Sequence, residues 1–164
     1  MKILVPKVVA ASIFAVGPEW LHEKGITLLL LDLDNTLATY AEDMPKKCVL
    51  DWLESLRAAG ISLYIISNSR KARRVDDYAA ACGLAFVKGA RKPKPEALQE
   101  IMRKMGKTPA ETALMGDQIF TDGLAANRAG VSAIVVRPLG MKNPLFFLRY
   151  LVELPFRRRS EERL

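Results

Sequence analysis

The run Ile26-Thr27-Leu28-Leu29-Leu30-Leu31, bounded by Gly25 and closed by Asp32, constrains the fold more than any other stretch. A short, nearly continuous apolar run of this kind fits a strand buried on both faces, as in a parallel sheet. Ile61 to Ile66, Thr112 to Met115 and Val131 to Val136 read the same way, and Leu84 to Val87 reads as a weaker fifth strand. Helical patterns lie between them. Pro45 to Ala58 carries Val49, Leu50, Leu53 and Leu56 at helical spacing and ends at Gly60, a natural helix terminator. Arg70 to Ala80, Pro93 to Met105 and Thr121 to Ala129 follow, the last closing on Gly130. Thr108-Pro109-Ala110-Glu111 is a helix-start signal with room for only a short turn before the next strand. Strands alternating with helices predict an α/β fold, a parallel sheet covered on both sides. Nothing reads as a linker. The expectation is one domain over 1–164, with a packing segment at 1–24, a catalytic core at 25–137 and an apolar, basic segment at 138–164.

In such sheets ligands bind beyond the carboxyl ends of the strands, so chemistry is sought there. The first run ends in Asp32-Leu33-Asp34-Asn35-Thr36. Two carboxylates two residues apart beside an apolar core are costly unless they bind metal or do phosphoryl chemistry; a turn with solvated aspartates is the bland reading. The second run ends in Ser67-Asn68-Ser69, which offers a hydroxyl and backbone N–H groups to a phosphate oxygen, or simply caps a helix. Next come Arg91-Lys92-Pro93, where Lys92 is placed to reach an anion or to sit in a basic turn, and Gly116-Asp117-Gln118-Ile119-Phe120-Thr121-Asp122, a tight turn with two acids five apart. Each is modest alone. In order at successive strand ends, they form the set needed to hold magnesium and a phosphoryl group.

The composition agrees. The chain has 164 residues, half of them apolar, and a formal net charge of +7, which favours anionic partners. Its two cysteines, Cys48 and Cys82, suggest no disulfide framework and are expected to be small buried hydrophobes in a reduced, cytoplasmic setting. Val8 to Gly17 is apolar but about half the length a spanning helix needs, so it reads as a segment packed on the domain. His22 is the single histidine, which argues against a phosphohistidine, a Ser-His-Asp triad or an imidazole-built two-metal site; a surface or packing role is expected for it.

These residues resemble the haloacid dehalogenase superfamily, whose four motifs match as Asp32-x-Asp34-x-Thr36, Ser67, Lys92 and Gly116-Asp117-x-x-x-x-Asp122. Within it, Leu31 to Leu37, Ser67-Asn68-Ser69, Ala90-Arg91-Lys92-Pro93, Gly116 to Asp122, Asn127-Arg128-x-Gly130 and Arg137-Pro138-Leu139 look like the YqeG-type branch of subfamily IIIA, which includes phosphatidylglycerophosphate phosphatases. The chain departs from that branch at Ala125-Ala126, where glycines are usual. The resemblance implies a Rossmann-like three-layer sandwich. It implies Asp32 as nucleophile, Asp34 as general acid and base, and Mg2+ held by Asp32, the Asp34 carbonyl and Asp117. Ser67, Asn68 and Lys92 would bind phosphate, Asp122 would orient Lys92 or a metal-bound water, Thr36 would brace the Asp32 loop, and Gln118 would support the site.

Many such enzymes carry a cap domain over the site. The stretches from Asp34 to Ile61 and from Ser67 to Lys92 leave no room for one, so an open cleft is expected. An open cleft suits a phospholipid headgroup at a bilayer. The apolar, aromatic segment Pro144 to Phe156 followed by Arg157-Arg158-Arg159 reads either as a docking element for the inner face of an anionic membrane or as a helix packed on the domain. The leading expectation is a phosphatidylglycerophosphate phosphatase. The competing readings are a soluble phosphatase for a sugar phosphate or nucleotide, and a phospho-aspartate signalling domain. Nucleic-acid binding is not expected, because no aromatic RNA-binding motif is present.

Overall fold

The computed structural model describes residues 2–69, 72–141 and 144–164. Its seven described strands are β1 (Val8–Ala10), β2 (Leu28–Leu31), β3 (Ser62–Ile66), β4 (Ala85–Val87), β5 (Thr112–Gly116), β6 (Ser132–Val136) and β7 (Glu162–Arg163). They form one sheet in the order β4-β3-β2-β5-β6-β1-β7, and every pairing is parallel. Among the described residues six α-helices accompany them: α1 (Pro18–Glu23), α2 (Lys47–Ala58), α3 (Ala72–Cys82), α4 (Glu96–Met105), α5 (Leu124–Ala129) and α6 (Pro144–Arg157). The expected helix from Arg70 has its first two positions, Arg70 and Lys71, outside the described residues.

β2 shows why the chain makes three layers. Successive side chains of a strand point to opposite faces. Leu29 and Leu31 pack with Trp52, Leu53, Leu56 and Val75 of α2 and α3. Leu28 and Leu30 pack with Leu98, Ile101 and Met102 of α4 and with Ala125 and Ala126 of α5. All four leucines are fully buried. Each such burial contributes about 2 kcal/mol, which offsets the cost of holding acids at the strand's end.

The order of strands fixes where a site can form. The chain runs outward from β2 through β3 to β4, then returns to the other side of β2 as β5. The switch point therefore lies between the carboxyl ends of β2 and β5, the place where open α/β sheets bind ligands. The Asp32 N–H donates to the Met115 carbonyl at 2.9 Å, holding those two ends together. Between Asp34 and β3 the regular element is α2, and between Ser67 and Lys92 lie α3 and β4, so no cap covers the cleft among the described residues.

The chain ends depart from expectation. The N-terminal segment does not merely pack on the domain: it supplies β1 beside β6. The C-terminal residues add β7 outside β1, and Leu164 N–H reaches the Val9 carbonyl at 3.0 Å. Cys82 is buried as expected, but Cys48 is exposed, because it falls on the outer side of α2 while Val49, Trp52 and Leu53 take the core side. His22 links α1 to the end of α2 through the Ala59 carbonyl at 2.9 Å. No described helix is long and apolar enough to cross a membrane.

Candidate active site

Asp32 leaves the end of β2 with 7% of its surface exposed. Asn35 then adopts a left-handed backbone, φ 61°, and its N–H closes a turn on the Ala38 carbonyl at 2.7 Å. Asparagine tolerates that conformation better than most residues, so the loop can double back over the strand. Within it the Thr36 hydroxyl donates to Asp32 Oδ2 at 3.2 Å. The other oxygen, Asp32 Oδ1, accepts from Lys92 Nζ at 2.6 Å.

Lys92 is buried and held from several directions. Its ammonium also donates to the Ile66 carbonyl at 2.9 Å and lies 2.6 Å from Asp122 Oδ1. Asn68 fixes the backbone behind it: Lys92 N–H donates to Asn68 Oδ1 at 2.7 Å, and Asn68 Nδ2 donates to the Lys92 carbonyl at 2.9 Å. Ser67, fully buried at the end of β3, accepts the Ser69 N–H at 3.0 Å. Gln118 accepts the Thr121 hydroxyl at 3.0 Å, and its N–H donates to Asp122 Oδ2 at 3.2 Å, closing the turn that carries Asp122.

Carboxylate oxygens of Asp32, Asp117 and Asp122 all lie within 4.8 Å of one another, and all three residues are buried. Burial pushes the Asp32 carboxyl up to about 7, against the attraction of Lys92 and with the help of repulsion from Asp122. Burial also holds Asp117 well above the ordinary carboxylate range, reinforced by Asp32 and then Asp122. Lys92 is shifted the other way from what burial alone would do, because Asp122 and Asp32 outweigh the desolvation of its ammonium. Three carboxylates face one ammonium, and Asp117 Oδ1 has no hydrogen-bond partner among the described residues. A divalent cation with oxygen ligands fits that charge excess and that orphaned atom.

Asp34 stands apart from this trio. Its side chain pairs with Arg74 on α3, and the same guanidinium donates to the Thr39 carbonyl at 2.7 Å and the Glu42 carbonyl at 3.2 Å. Asp34 still faces the cleft, whose walls include Asp32, Tyr40, Asn68, Lys92, Gln118 and Asp122. Any metal contact from Asp34 would therefore come from its carbonyl, as the resemblance implies, rather than its carboxylate.

Three supporting residues escaped the sequence reading. Arg74 lay unremarked in a helical pattern. Glu153 and Arg157, in an apolar segment, are both buried. Glu153 Oε1 accepts the Ile119 and Phe120 N–H groups at 2.9 and 3.2 Å. Arg157 donates to the Val136 carbonyl at 3.0 Å and to the Asp117 carbonyl, and pairs with Glu153 at 3.3 Å. The C-terminal helix thus grips the loop that carries Asp117. Arg157 belongs to this grip and not to an exposed basic cluster. The available signal was an acid and a base four residues apart in an otherwise apolar helix.

Gly116 has a steric reason to be glycine. A Cβ there would lie 2.6 Å from the Cβ of Asp122 and closer still to its carboxyl group. Gly116→Ala is expected to displace Asp122 and loosen Lys92, at about 1–3 kcal/mol of stability and with a loss of activity larger than the destabilisation explains. Thermal melting and steady-state kinetics on the same preparation check this; an alanine variant that keeps full activity contradicts it.

Comparisons with known proteins show the family. The sequence model of the haloacid dehalogenase-like hydrolases matches residues 4–130. The "Probable phosphatase YqeG" of Bacillus subtilis is 33% identical over 138 residues, 84% of this chain and 80% of that one. The mitochondrial "Phosphatidylglycerophosphatase GEP4" of Saccharomyces cerevisiae is 32% identical over 136 residues, 73% of this chain and 72% of that one. Among solved structures, the cobalt-bound deoxy-D-mannose-octulosonate 8-phosphate phosphatase of Haemophilus influenzae superposes with a TM-score of 0.56 at 17% identity, covering 84% of this chain and 92% of that one. The 3-deoxy-D-manno-octulosonate 8-phosphate phosphatase of Moraxella catarrhalis gives 0.51 at 22% identity, with the same coverage. At those identities the two structures speak for the fold alone, whereas the family model and the two relatives speak for the chemistry. The chain belongs to the haloacid dehalogenase-like hydrolases and is a phosphatase.

Proposed function

We propose that the protein hydrolyses a phosphomonoester through an aspartyl phosphate on Asp32, with Mg2+ as cofactor and phosphatidylglycerophosphate as substrate. The observation that carries the chemistry is the buried Asp32 carboxylate, fixed at 2.6 Å by Lys92 within the Asp32, Asp117 and Asp122 cluster. Asp32 attacks phosphorus, and the bond to the leaving alkoxide breaks as Asp34 gives that oxygen a proton. Water then attacks the aspartyl phosphate, Asp34 takes its proton, and inorganic phosphate leaves with Asp32 restored. Lys92 and Ser67 would hold the phosphoryl oxygens whose charge must be stabilised. Arg74 pairs with Asp34 in the resting structure, and that pair must open for Asp34 to carry the proton it gives to the leaving oxygen. A Mg2+ ion held by Asp32, Asp117 and the Asp34 carbonyl would supply electrostatic compensation for two anions brought together.

The lipid substrate is supported by the relationship to the yeast phosphatidylglycerophosphatase and by the absence of a cap among the described residues. The outer side of α6 also supports it, with Leu145, Leu148, Leu151 and Val152 exposed. We read the chain as one catalytic domain in the cytoplasm, touching the membrane through that side, with Arg158 and Arg159 as its exposed basic residues. The test is phosphate release from phosphatidylglycerophosphate in mixed micelles, beside soluble phosphomonoesters. Preference for the lipid is the expected result. Activity confined to a sugar phosphate or nucleotide keeps the chemistry and removes the lipid.

The raised carboxyls make metal binding proton-coupled. A carboxyl must lose its proton to bind a cation, so binding releases protons wherever Asp32 and Asp117 are protonated beforehand. Mg2+ affinity is expected to climb as pH rises from about 5 through 7, where Asp32 loses its proton, by roughly tenfold per pH unit for each proton displaced. Calorimetry in buffers of different ionisation enthalpy counts those protons; affinity flat across this range contradicts the assignment.

A further inference from the structure

An aromatic and cationic rim adjoins the catalytic cleft, and the mechanism above makes no use of it. Tyr40 is shared: it faces the cleft with Asp32 and Asp34, and it also walls a neighbouring cavity of about 220 Å³ with Leu139 and Phe146. The Tyr40 and Phe146 rings lie 6.0 Å apart. On Phe146 rests the guanidinium of Arg149, 4.5 Å from the ring centroid. Arg149 also walls a narrow cleft with Asn35, Asp117 and Gln118. Among the described residues no carboxylate pairs with it, although its field reaches both Asp117 and Tyr40. Tyr40 and Leu139 are about half exposed. Burial, then Asp34, pushes the Tyr40 hydroxyl up to about 12, so it stays a neutral donor.

Once a phosphoryl group sits on Asp32, its alcohol must leave through the open side of the cleft. Tyr40 borders that side. We propose that this rim is the leaving-group subsite, taking an alcohol that carries a second phosphate in diester linkage to an acylated glycerol. Arg149 binds the diester phosphate, and the Tyr40, Leu139 and Phe146 wall receives the glycerol and the first carbons of the acyl chains. The guanidinium suits a diester oxygen pair, and stacking on Phe146 holds its plane before substrate arrives. Arg149 sits on α6 together with the exposed Leu145, Leu148 and Val152, so one helix would present the headgroup cation and an apolar face to the same bilayer. The proposal rests on Asp32 as the phosphoryl site and names what lies beyond it.

Three substrates separate the possibilities: glycerol 3-phosphate, the deacylated glycerophosphoglycerol phosphate, and phosphatidylglycerophosphate in mixed micelles. All three present a glycerol phosphate monoester, but the diester is missing from the first and the acyl chains from the first two. The wild type is expected to prefer the deacylated diester over glycerol 3-phosphate in kcat/KM by about 10- to 100-fold, the scale of a charge-assisted hydrogen bond. Arg149→Gln should collapse that ratio towards one, and Arg149→Lys should restore part of it, with melting curves establishing that both fold. A wild type without the preference overturns the proposal, as does an Arg149→Gln variant that keeps the ratio while losing rate on both. Selectivity for the full lipid that Arg149→Gln leaves intact overturns the rim and keeps the lipid reading. A wild type that treats lipid and deacylated headgroup alike, with the ratio still dependent on Arg149, keeps the diester contact and overturns the apolar wall as a seat for the acyl chains.

Discussion

Asp32→Asn is expected to lower kcat by roughly 10⁴- to 10⁶-fold, the scale of losing a covalent nucleophile. The amide has nearly the same shape but cannot attack phosphorus or carry the bond to it. The fold should survive. Because the folded-state pKa of Asp32 is raised to about 7 by burial, net of Lys92, this group's stabilising contribution is complete below the ordinary carboxylate range. That contribution is lost as pH rises through about 7, so at pH 8 the ionised side chain is a cost. A neutral asparagine removes the cost. The metal-free variant should therefore melt no lower than the wild type at pH 8, and melting curves with kinetics check both halves. A variant that retains measurable turnover above about 1% contradicts the role given to Asp32.

Lys92→Met carries the second largest effect, and it combines stability with rate. The ammonium is the counter-charge for Asp32 and Asp122, each at 2.6 Å, with side-chain exposures of 1%, 10% and 3% for the three residues. Removing one partner of a buried ion pair leaves the other uncompensated, at about 3–5 kcal/mol. Methionine fills much the same volume, so the loss is chiefly electrostatic. Activity should fall by about 10²- to 10³-fold, as when a donor to a developing oxyanion is removed. The stability loss should be smaller at pH 5 than at pH 8, because Asp32, raised to about 7, can then hold a proton. Chemical denaturation at the two pH values measures it. An equal loss at both would mean that packing, not charge, explains Lys92.

Much of the catalytic face was legible because burial and charge change abruptly along the chain. Leu28 to Leu31 reads as a doubly buried strand, and Asp32 beside it is an anomaly that asks for a partner. The same contrast marks Met115 against Asp117 and Ile66 against Ser67. Lys92, Asp32 and Asp122 could all be named, and the resemblance joined Lys92 to Asp122, but the direct Lys92–Asp32 pair arises only when β2, β5 and the turn after β4 come together. What escaped lacks such contrast. β1 and β7 have three and two residues and are held by backbone pairing, for which Glu162 and Arg163 carry no pattern. Arg157 heads a run of three arginines that reads as solvated, yet it points inward, because the Asp117 and Val136 carbonyls need a donor there. Arg74 resembled any surface arginine until the loop after Asp34 folded over it. Cys48 shows the converse error: a small apolar residue is no guide to burial on a helix whose core side is already filled.

The central claim is the covalent step at Asp32, and the most direct measurement is acid-quench trapping. A substrate that the enzyme turns over, labelled in its phosphoryl group, would be mixed with enzyme and Mg2+ and stopped within a single turnover. The protein would then be digested and the label located by mass spectrometry. The account predicts a hydroxylamine-sensitive phosphoryl group on the peptide containing Asp32. Phosphate released in a single turnover with no label ever found on Asp32 would contradict it.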